Sequence, residues 1–367
     1  MTQEIERYIM LKYNIHNIVK VIIDSKIAQS VLDSINFQIR HFNVKENEEE
    51  KCKYCIYVSS YSEYQINDKS KMSLFHDTVF DYEQIMIDPE NELVIEKGEN
   101  SFHIYASRSN FLINMFIHYY FIKEGYSMVH AASVEIDGKS ILLPGPGGVG
   151  KTALVGYAVK HLGMRVHGDD IVLIGQQGNC LSFPRSFVLK EYHRNVYPDV
   201  FAKYGIKSNK HYGIKRFLIE NAPFLPLIKR LLKKHGLQDK VSRTIGIEPH
   251  LATLSVREIL GDNSIADKSL IERILFLERS TNSEFELIMV EEKEIVDRMF
   301  SIIYHEWVES FRQLFVMGSV GMLDINGMFK DTYQIIRTSV EGKKCYILKI
   351  PNNSPVESLH KQFEQYV

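Results

Sequence analysis

The sequence predicts a protein of the α/β class, and three observations support this prediction. A short apolar strand, 140–143, runs into a glycine-rich segment at 145–150, and a helix-forming stretch, 153–160, follows directly. A second apolar strand at 171–174 comes after that helix, so strands and helices alternate along the chain. Residues 1–108 differ, because short runs of β-branched and aromatic residues between polar turns predict a smaller β-rich domain.

Length and composition exclude several classes of protein. The chain has 367 residues, of which 45% are hydrophobic and 25% charged, and its formal net charge is −2. This balance is typical of a folded protein and not of a disordered, collagen-like or disulfide-scaffold chain. The charge is too small for a protein that binds nucleic acid through its overall field. The length favours two to three domains, and we expect a β-rich domain at 1–108 and a larger α/β domain at 109–367.

Features of secretion or membrane insertion are not found. The first residues have no basic start followed by an apolar core and a cleavage site, so we expect no signal peptide. The most apolar stretch, 111–122, is interrupted by Asn114 and His118 and is too short to span a membrane. It predicts a buried helix instead. Four cysteines suit a reducing compartment, so we expect a cytoplasmic protein in which Cys52 and Cys55 are ordinary strand residues.

The glycine-rich segment matches the pattern G-x-x-x-x-G-K-[ST] of the phosphate-binding P-loop. Its glycines let consecutive backbone N–H groups point at a polyphosphate, and the next helix adds the partial positive charge of its N-terminus. A lysine offers a point charge to the β- and γ-phosphates, and a threonine offers a hydroxyl to Mg²⁺. The alternative, a glycine-rich turn that binds nothing, is disfavoured by the strand before it and the helix after it. The predicted nucleotide-binding residues are Gly145, Gly147, Gly148, Val149, Gly150, Lys151 and Thr152.

Two adjacent acids, Asp169 and Asp170, lie between that helix and the strand at 171–174. In an α/β fold we expect them at a strand end beside the loop, where open sheets bind ligands. One carboxylate of such a pair can hold a metal ion, while the other accepts a hydroxyl proton. The alternative is that the two acids only form a turn or cap between strands.

Four segments in this part of the chain resemble the catalytic domain of HPr kinase/phosphorylase. They are 130–134 (HAASV), the P-loop, 168–170 (GDD) and 183–190 (FPRSFVLK). The resemblance is concentrated in residues 128–191 and does not extend to 1–108. It implies a P-loop kinase domain with a fold akin to phosphoenolpyruvate carboxykinase, which uses Mg²⁺ and transfers the γ-phosphoryl group of ATP to a protein serine. Several kinase-like members of the family act in the tailoring of ribosomal peptides, including lasso-peptide precursors.

The resemblance also implies roles for individual residues. Asp169 matches the catalytic aspartate, and Asp170 matches its neighbour near the metal, which Thr152 would also bind. His130 matches the histidine ahead of the P-loop, so we count it with Lys151 as catalytic. The remaining two matches are basic residues expected to contact phosphate or substrate, Arg185 and Lys190. For Arg185 an alternative stays open, because it could equally be a surface residue at the end of a strand.

Departures from the family pattern bear on the acceptor. The longer glycine-rich signature associated with HPr binding is not evident, and the P-loop ends in Thr152 where serine is usual. A ribosomal peptide precursor is therefore the favoured acceptor. Two alternatives stay open from the sequence: a kinase for a small-molecule hydroxyl, and a nucleotide-binding switch or scaffold without transfer. HPr-kinase relatives are often oligomers, so we also expect a homo-oligomer as one possible state.

The rest of the chain gives structural expectations. The segment 203–243 holds eleven Lys and Arg residues and two acids, and it is either a solvated helical insertion or a surface that docks an acidic protein or peptide. We expect a buried strand at 272–279 and one helix at 291–315 that contains Trp307 as a core residue. The last expectations are strands at 333–336 and 345–350 and a final helix that Ser354 caps.

Overall fold

Strands of the chain form two nine-stranded sheets and one two-stranded sheet in the computed structural model, which describes residues 10–44, 51–65, 72–75, 78–81, 84–108, 112–207 and 251–367. Strands of the first sheet are β1 (Leu11–Ile15), β2 (Val19–Ile23), β3 (Asn43–Val44), β4 (Tyr54–Ser60), β5 (Ser73–Phe75), β6 (Thr78–Asp81), β7 (Ile85–Asp88), β8 (Leu93–Lys97) and β9 (Ser101–Ala106). Those of the second are β10 (Tyr126–Val129), β11 (Ala131–Ile136), β12 (Lys139–Pro144), β13 (Arg165–Gly168), β14 (Val172–Gly175), β15 (Asn179–Leu181), β18 (Lys268–Ser280), β19 (Glu286–Met289) and β20 (Lys344–Pro351). The small sheet pairs β16 (Phe187–Leu189) with β17 (Ala252–Leu254).

The described ranges 10–44, 112–207 and 251–367 contain the α-helices. They are α1 (Gln29–Ile39), α2 (Leu112–Lys123), α3 (Lys151–Leu162), α4 (Pro198–Lys203), α5 (Val256–Leu260), α6 (Glu292–Glu306), α7 (Val308–Ser319), α8 (Ile325–Val340) and α9 (Val356–Glu364). This mixture of helices and large sheets confirms the predicted α/β class.

The chain divides into two compact units. Residues 1–185 and 263–367 form the larger unit, and residues 186–262 form the smaller one, with β16, β17, α4 and α5. The predicted boundary near residue 108 lies inside the larger unit, between β9 and α2, and stays a prediction. Most of the basic segment, 208–243, lies outside the described residues.

The first sheet has the strand order β3-β1-β2-β4-β9-β8-β7-β6-β5, with β2, β4 and β9 parallel to one another. Its strands alternate buried and partly exposed residues, as expected when one face of a sheet covers a core. On the covered face, Tyr54 stacks on Tyr120 of α2 with ring centroids 4.3 Å apart, and Phe102 packs 4.1 Å from Phe116. The hydroxyl of Tyr13 donates to Asn36 Oδ1 of α1 at 2.7 Å.

Helix α2 is the predicted buried helix, and ten of its twelve residues are buried. A helix that is apolar all round must be covered on every side. Helix α2 meets the first sheet on one side, and its His118 lies against Ser127 and the edge of Trp307 on another. It is therefore a shared core element of the larger unit.

The second sheet runs β10-β14-β15-β18-β12-β11-β13, and β20 pairs with both β18 and β19. Strands β12, β18 and β20 are parallel, whereas β11 is antiparallel to both of its neighbours, β12 and β13. Since β12 and β13 each run opposite to β11, they run in the same direction and end at the same edge. The chain segments that follow these two strands therefore start close together.

Several local predictions were wrong, and each for an identifiable reason. Residues 333–336 belong to α8, where buried Met328, Thr332 and Ile336 recur every four residues, so a short apolar run was mistaken for a strand. The expected strand 128–136 is broken at His130, because β10 pairs with β14 and β11 with β12. The expected helix 291–315 is broken at Trp307. The last helix is preceded by Pro355, and Ser354 donates to the Pro351 carbonyl instead of capping it.

None of the described helices combines the length and the apolar character that crossing a bilayer requires. All four cysteines are free thiols. Cys55 lies in β4, as the strand interpretation predicted, whereas Cys52 lies just before that strand.

We predict that His118 makes a destabilising contribution to folding as the pH falls below about 6.5. His118 is fully buried, and burial lowers its pKa to about 3. The unfolded chain takes up this proton near pH 6.5, so between the two values it binds more protons than the folded state and stability rises with pH. At pH 5 this residue alone should cost about 2 kcal/mol relative to neutral pH.

Thermal denaturation from pH 7.5 to 5 checks this expectation. Between pH 7.5 and pH 5, the change in Tm of the variant His118→Gln should be more favourable than that of the native chain, because the variant lacks the destabilising contribution of His118. The exposed His161 supplies the control, since His161→Gln should leave the dependence unchanged. Equal slopes for the native chain and His118→Gln would contradict a neutral buried imidazole.

Candidate functional site

The glycine-rich loop joins β12 to α3 in a tight turn whose glycines are required by its shape. Gly148 and Gly150 have φ angles of +79° and +112°, in the region that side chains with a Cβ rarely adopt. A Cβ on Gly145 would lie 2.5 Å from the carbonyl oxygen of Leu277. Strand, loop and helix therefore have the local form of a P-loop, with Val149 buried beneath it.

Lys151 folds back across this loop. Its Nζ donates to the carbonyl oxygens of Gly145 at 2.6 Å and Pro146 at 3.0 Å, and it also lies 3.1 Å from Nε2 of His130. The side chain is buried, and burial lowers its pKa even though nearby carboxylates act in the opposite direction. The loop thus holds one positive charge at its centre, where a phosphate group would need it.

Thr152 and Asp169 connect the loop to the acid pair. The hydroxyl of Thr152 donates to Oδ2 of Asp169 at 2.7 Å. Asp169 directly follows β13, and the turn is so tight that a Cβ on Gly168 would lie 2.1 Å from the Ile171 carbonyl oxygen. Thr152 and Asp169 lie close together because β12 and β13 end at the same edge of the sheet.

The Asp169 carboxylate is incompletely satisfied. Its Oδ1 is buried and has no hydrogen-bond partner within the part of the chain that the structure describes. Burial raises the pKa of Asp169 to about 7, although the bond from Thr152 acts to lower it. A hydroxyl and a buried carboxylate with an unmatched oxygen are hard oxygen ligands of the kind that Mg²⁺ prefers. The residues present therefore fit a divalent cation beside the loop.

Asp170 is bound by Arg185 and lies near His130. Its Oδ2 accepts a hydrogen bond from Nη1 of Arg185, and its Oδ1 lies 3.4 Å from Nδ1 of His130. Burial acts to raise the pKa of Asp170, but the charges of Arg185 and Lys151 outweigh it and hold the pKa below its ordinary value. The side chain is 44% exposed, whereas that of Arg185 is only 10% exposed. Asp170 is thus an ionised, oriented carboxylate that faces solvent.

His130 links the lysine of the loop to Asp170. Burial lowers its pKa to about 4, so the ring is neutral at physiological pH. Because Lys151 Nζ can only donate, Nε2 of His130 is the acceptor and the ring proton sits on Nδ1. Nδ1 lies 3.4 Å from Oδ1 of Asp170 but forms no hydrogen bond among the described residues. The break between β10 and β11 places His130 at this position.

Glu306 is a site residue that the sequence did not predict. It is the last residue of α6, and its Oε1 accepts from the backbone N–H of Gly147 at 3.1 Å, across 159 residues of sequence. A carboxylate on a backbone N–H of the loop occupies a place suited to a phosphate oxygen. No local pattern around Glu306 gives a signal for this contact.

The structure brings together six of the predicted residues: Lys151, Thr152, Asp169, Asp170, His130 and Arg185. Lys190 belongs to the smaller unit, where its backbone N–H donates to Nδ1 of His193. In the described ranges, no group of three or more His, Cys, Asp or Glu side chains is suited to a metal ion. A Mg²⁺ ion held by one or two carboxylates and a nucleotide does not require such a group.

Comparisons of the chain with protein-family models and with curated proteins found no match. The geometry of the site and the local sequence pattern are therefore the support for any assignment of function.

We expect Asp169→Asn to stabilise the protein at neutral pH. Because folding raises the pKa of this acid, the folded state binds more protons than the unfolded state between pH 3.8 and 7, and stability falls as the pH rises through that window. Removing the charge should recover at most about 4 kcal/mol, since one pKa unit corresponds to about 1.4 kcal/mol.

The matched control is the neighbouring acid. Asp170→Asn should lower Tm, because it leaves the buried guanidinium of Arg185 without its carboxylate. Thermal denaturation of both variants at pH 7 measures the difference. A lower Tm for Asp169→Asn than for the native chain would contradict the claim that the buried charge of Asp169 destabilises the folded state.

Proposed function

We propose that the protein is an ATP-dependent kinase that transfers the γ-phosphoryl group to a serine, or to another hydroxyl, of a protein or peptide. One observation carries the proposal: the Thr152–Asp169 hydrogen bond, which joins a loop of P-loop form to an adjacent pair of carboxylates. Phosphoryl transfer needs positive charge on the phosphates and a carboxylate near the attacking hydroxyl. Both kinds of group lie within this cluster.

The loop and the start of α3 supply the nucleotide site in this proposal. Backbone N–H groups at 147–151 and the N-terminus of α3 favour the β- and γ-phosphates, and Lys151 adds a full charge. Thr152 and Asp169 would hold Mg²⁺, which neutralises charge that develops on the phosphates. The cation would then interact with Oδ1 of Asp169, which has no hydrogen-bond partner among the described residues.

Asp170 suits the role of orienting the acceptor hydroxyl. It is exposed at the site, whereas Asp169 is turned inward onto Thr152. Arg185 donates a hydrogen bond to its carboxylate, and Nδ1 of His130 lies 3.4 Å from it. This division of roles reverses the one implied by the family resemblance, in which Asp169 is catalytic and Asp170 lies near the metal. The contacts of the two side chains favour the reversed assignment.

A ribosomal peptide precursor is the acceptor that we favour, on the resemblance of residues 128–191 to HPr-kinase-like proteins. A small-molecule hydroxyl would use the same groups. A nucleotide-dependent switch without transfer is less well supported, because it gives no role to the exposed Asp170 and the Arg185 guanidinium that binds it.

Two substitutions test the function and the roles of the acids together. With Mg-ATP and a candidate peptide, Asp170→Asn should abolish transfer of labelled phosphate and keep the affinity for Mg-ATP within about twofold. Asp169→Asn should also lose transfer, but it should weaken Mg²⁺-dependent nucleotide binding about tenfold or more, because a metal ligand is removed. Separating protein-bound label from small-molecule label identifies the class of acceptor.

Three results would change this assignment. Full transfer by both variants would exclude the acid pair from the chemistry. Normal metal-dependent binding by Asp169→Asn, with weakened binding by Asp170→Asn, would restore the assignment implied by the resemblance. Nucleotide binding by the native chain without transfer to any hydroxyl would favour the switch.

Removing the Glu306 carboxylate should tighten nucleotide binding. The Glu306 carboxylate accepts a hydrogen bond from the backbone N–H of Gly147 and lies close enough to Lys151 to affect the pKa of that lysine. A triphosphate that binds the loop must therefore displace the carboxylate from this N–H, and it is then repelled by the negative charge of Glu306. Titration with ATP should give a Kd about three- to tenfold lower for Glu306→Ala than for the native chain, equivalent to roughly 1 kcal/mol.

Two controls belong to this titration. The exposed Glu309 carries the same charge on α7, and Glu309→Ala should leave the Kd unchanged. Lys151→Ala should raise the Kd, because the charge within the loop is lost. Weaker binding by Glu306→Ala would contradict a competing carboxylate and would make Glu306 part of the nucleotide site.

A further inference from the structure

An aromatic side chain from the N-terminal region reaches the candidate site. Phe37 lies in α1, and its ring centroid is 5.0 Å from Cζ of Arg185. The same guanidinium donates through Nη1 to Asp170. Arg185 is thus bound by a carboxylate at its edge and by an aromatic ring at its face.

We propose that Phe37 is a positioning residue, which holds the guanidinium of Arg185 in the orientation that directs it at Asp170. The proposal rests on the function proposed above and adds a role for the region that precedes α2. Phe37 touches neither the loop nor the acids in the described contacts, and it acts through Arg185 alone.

The physical basis is the attraction between a cation and the face of an aromatic ring. A guanidinium is planar and carries five N–H donors, so its hydrogen bond to Asp170 depends on the orientation of that plane. A ring over one face fixes that plane. The attraction is strongest where water is excluded, and the Arg185 side chain is only 10% exposed.

Two further contacts join the first sheet and the segment after α1 to the residues that precede Arg185. The β1–β2 turn places His16 so that its Nε2 donates to the Ser182 carbonyl at 2.7 Å. Just after α1, Phe42 packs with its ring centroid 5.6 Å from that of Phe183. These contacts fix the backbone that leads into Arg185, and Phe37 fixes the end of its side chain. The N-terminal region is therefore expected to contribute to the rate of transfer and not only to binding of the acceptor.

Three variants separate positioning from packing. Phe37→Leu keeps an apolar side chain but removes the ring, so kcat should fall about three- to thirtyfold while the Kd for Mg-ATP stays within twofold. Phe37→Tyr keeps the ring and should restore kcat to within about twofold. Ile35→Val removes one methylene from the buried face of α1, and should lower Tm without changing kcat.

A crystal structure of Phe37→Leu supplies a readout that does not depend on activity. The guanidinium of Arg185 should leave Asp170 or occupy more than one position in this variant, and should keep its contact in Ile35→Val. If the native chain transfers no phosphate to any acceptor, the proposed function fails, and this structure still decides the role of Phe37. An Arg185 side chain unmoved in Phe37→Leu, or equal loss of kcat in Phe37→Leu and Phe37→Tyr, would overturn the proposal.

Discussion

The hydrogen bond between Thr152 and Asp169 is the contact on which the candidate site depends. It exists because β12 and β13 flank β11, run in the same direction and release the chain at the same edge of the sheet. Tight packing then fixes the two segments, since neither Gly145 nor Gly168 has room for a Cβ. This arrangement brings a loop rich in N–H donors to a pair of carboxylates, which is the requirement shared by many enzymes that handle nucleotide phosphates.

Local pattern was sufficient to predict the centre of the site. A strand, a glycine-rich turn and a helix are encoded within 140–162, and the rule for strand ends placed Asp169 and Asp170 beside the loop. Predictions from local pattern were wrong where a short segment fits both a strand and a helix. The apolar run at 333–336 fits a strand, and only the four-residue repeat over the whole of α8 indicates a helix. The division of roles between the two acids also needed coordinates, because it depends on which side chain turns inward.

Contacts between distant segments could not be predicted. Glu306 reaches Gly147 across 159 residues, and Phe37 reaches Arg185 from a helix that the sequence analysis did not predict. Both depend on the order of strands in a sheet and on the packing of helices against it, which local periodicity does not encode. The second contact also changes the interpretation of the N-terminal region, because one of its helices contacts Arg185 of the candidate site.

A crystal structure of the chain with Mn²⁺ and a non-hydrolysable ATP analogue tests the central claim most directly. The account predicts a triphosphate in the loop at 145–152, an anomalous peak for the metal beside Thr152 and Asp169, and Glu306 displaced from Gly147. A nucleotide bound elsewhere, with the Glu306 carboxylate still on the loop and no metal at Thr152, would contradict it.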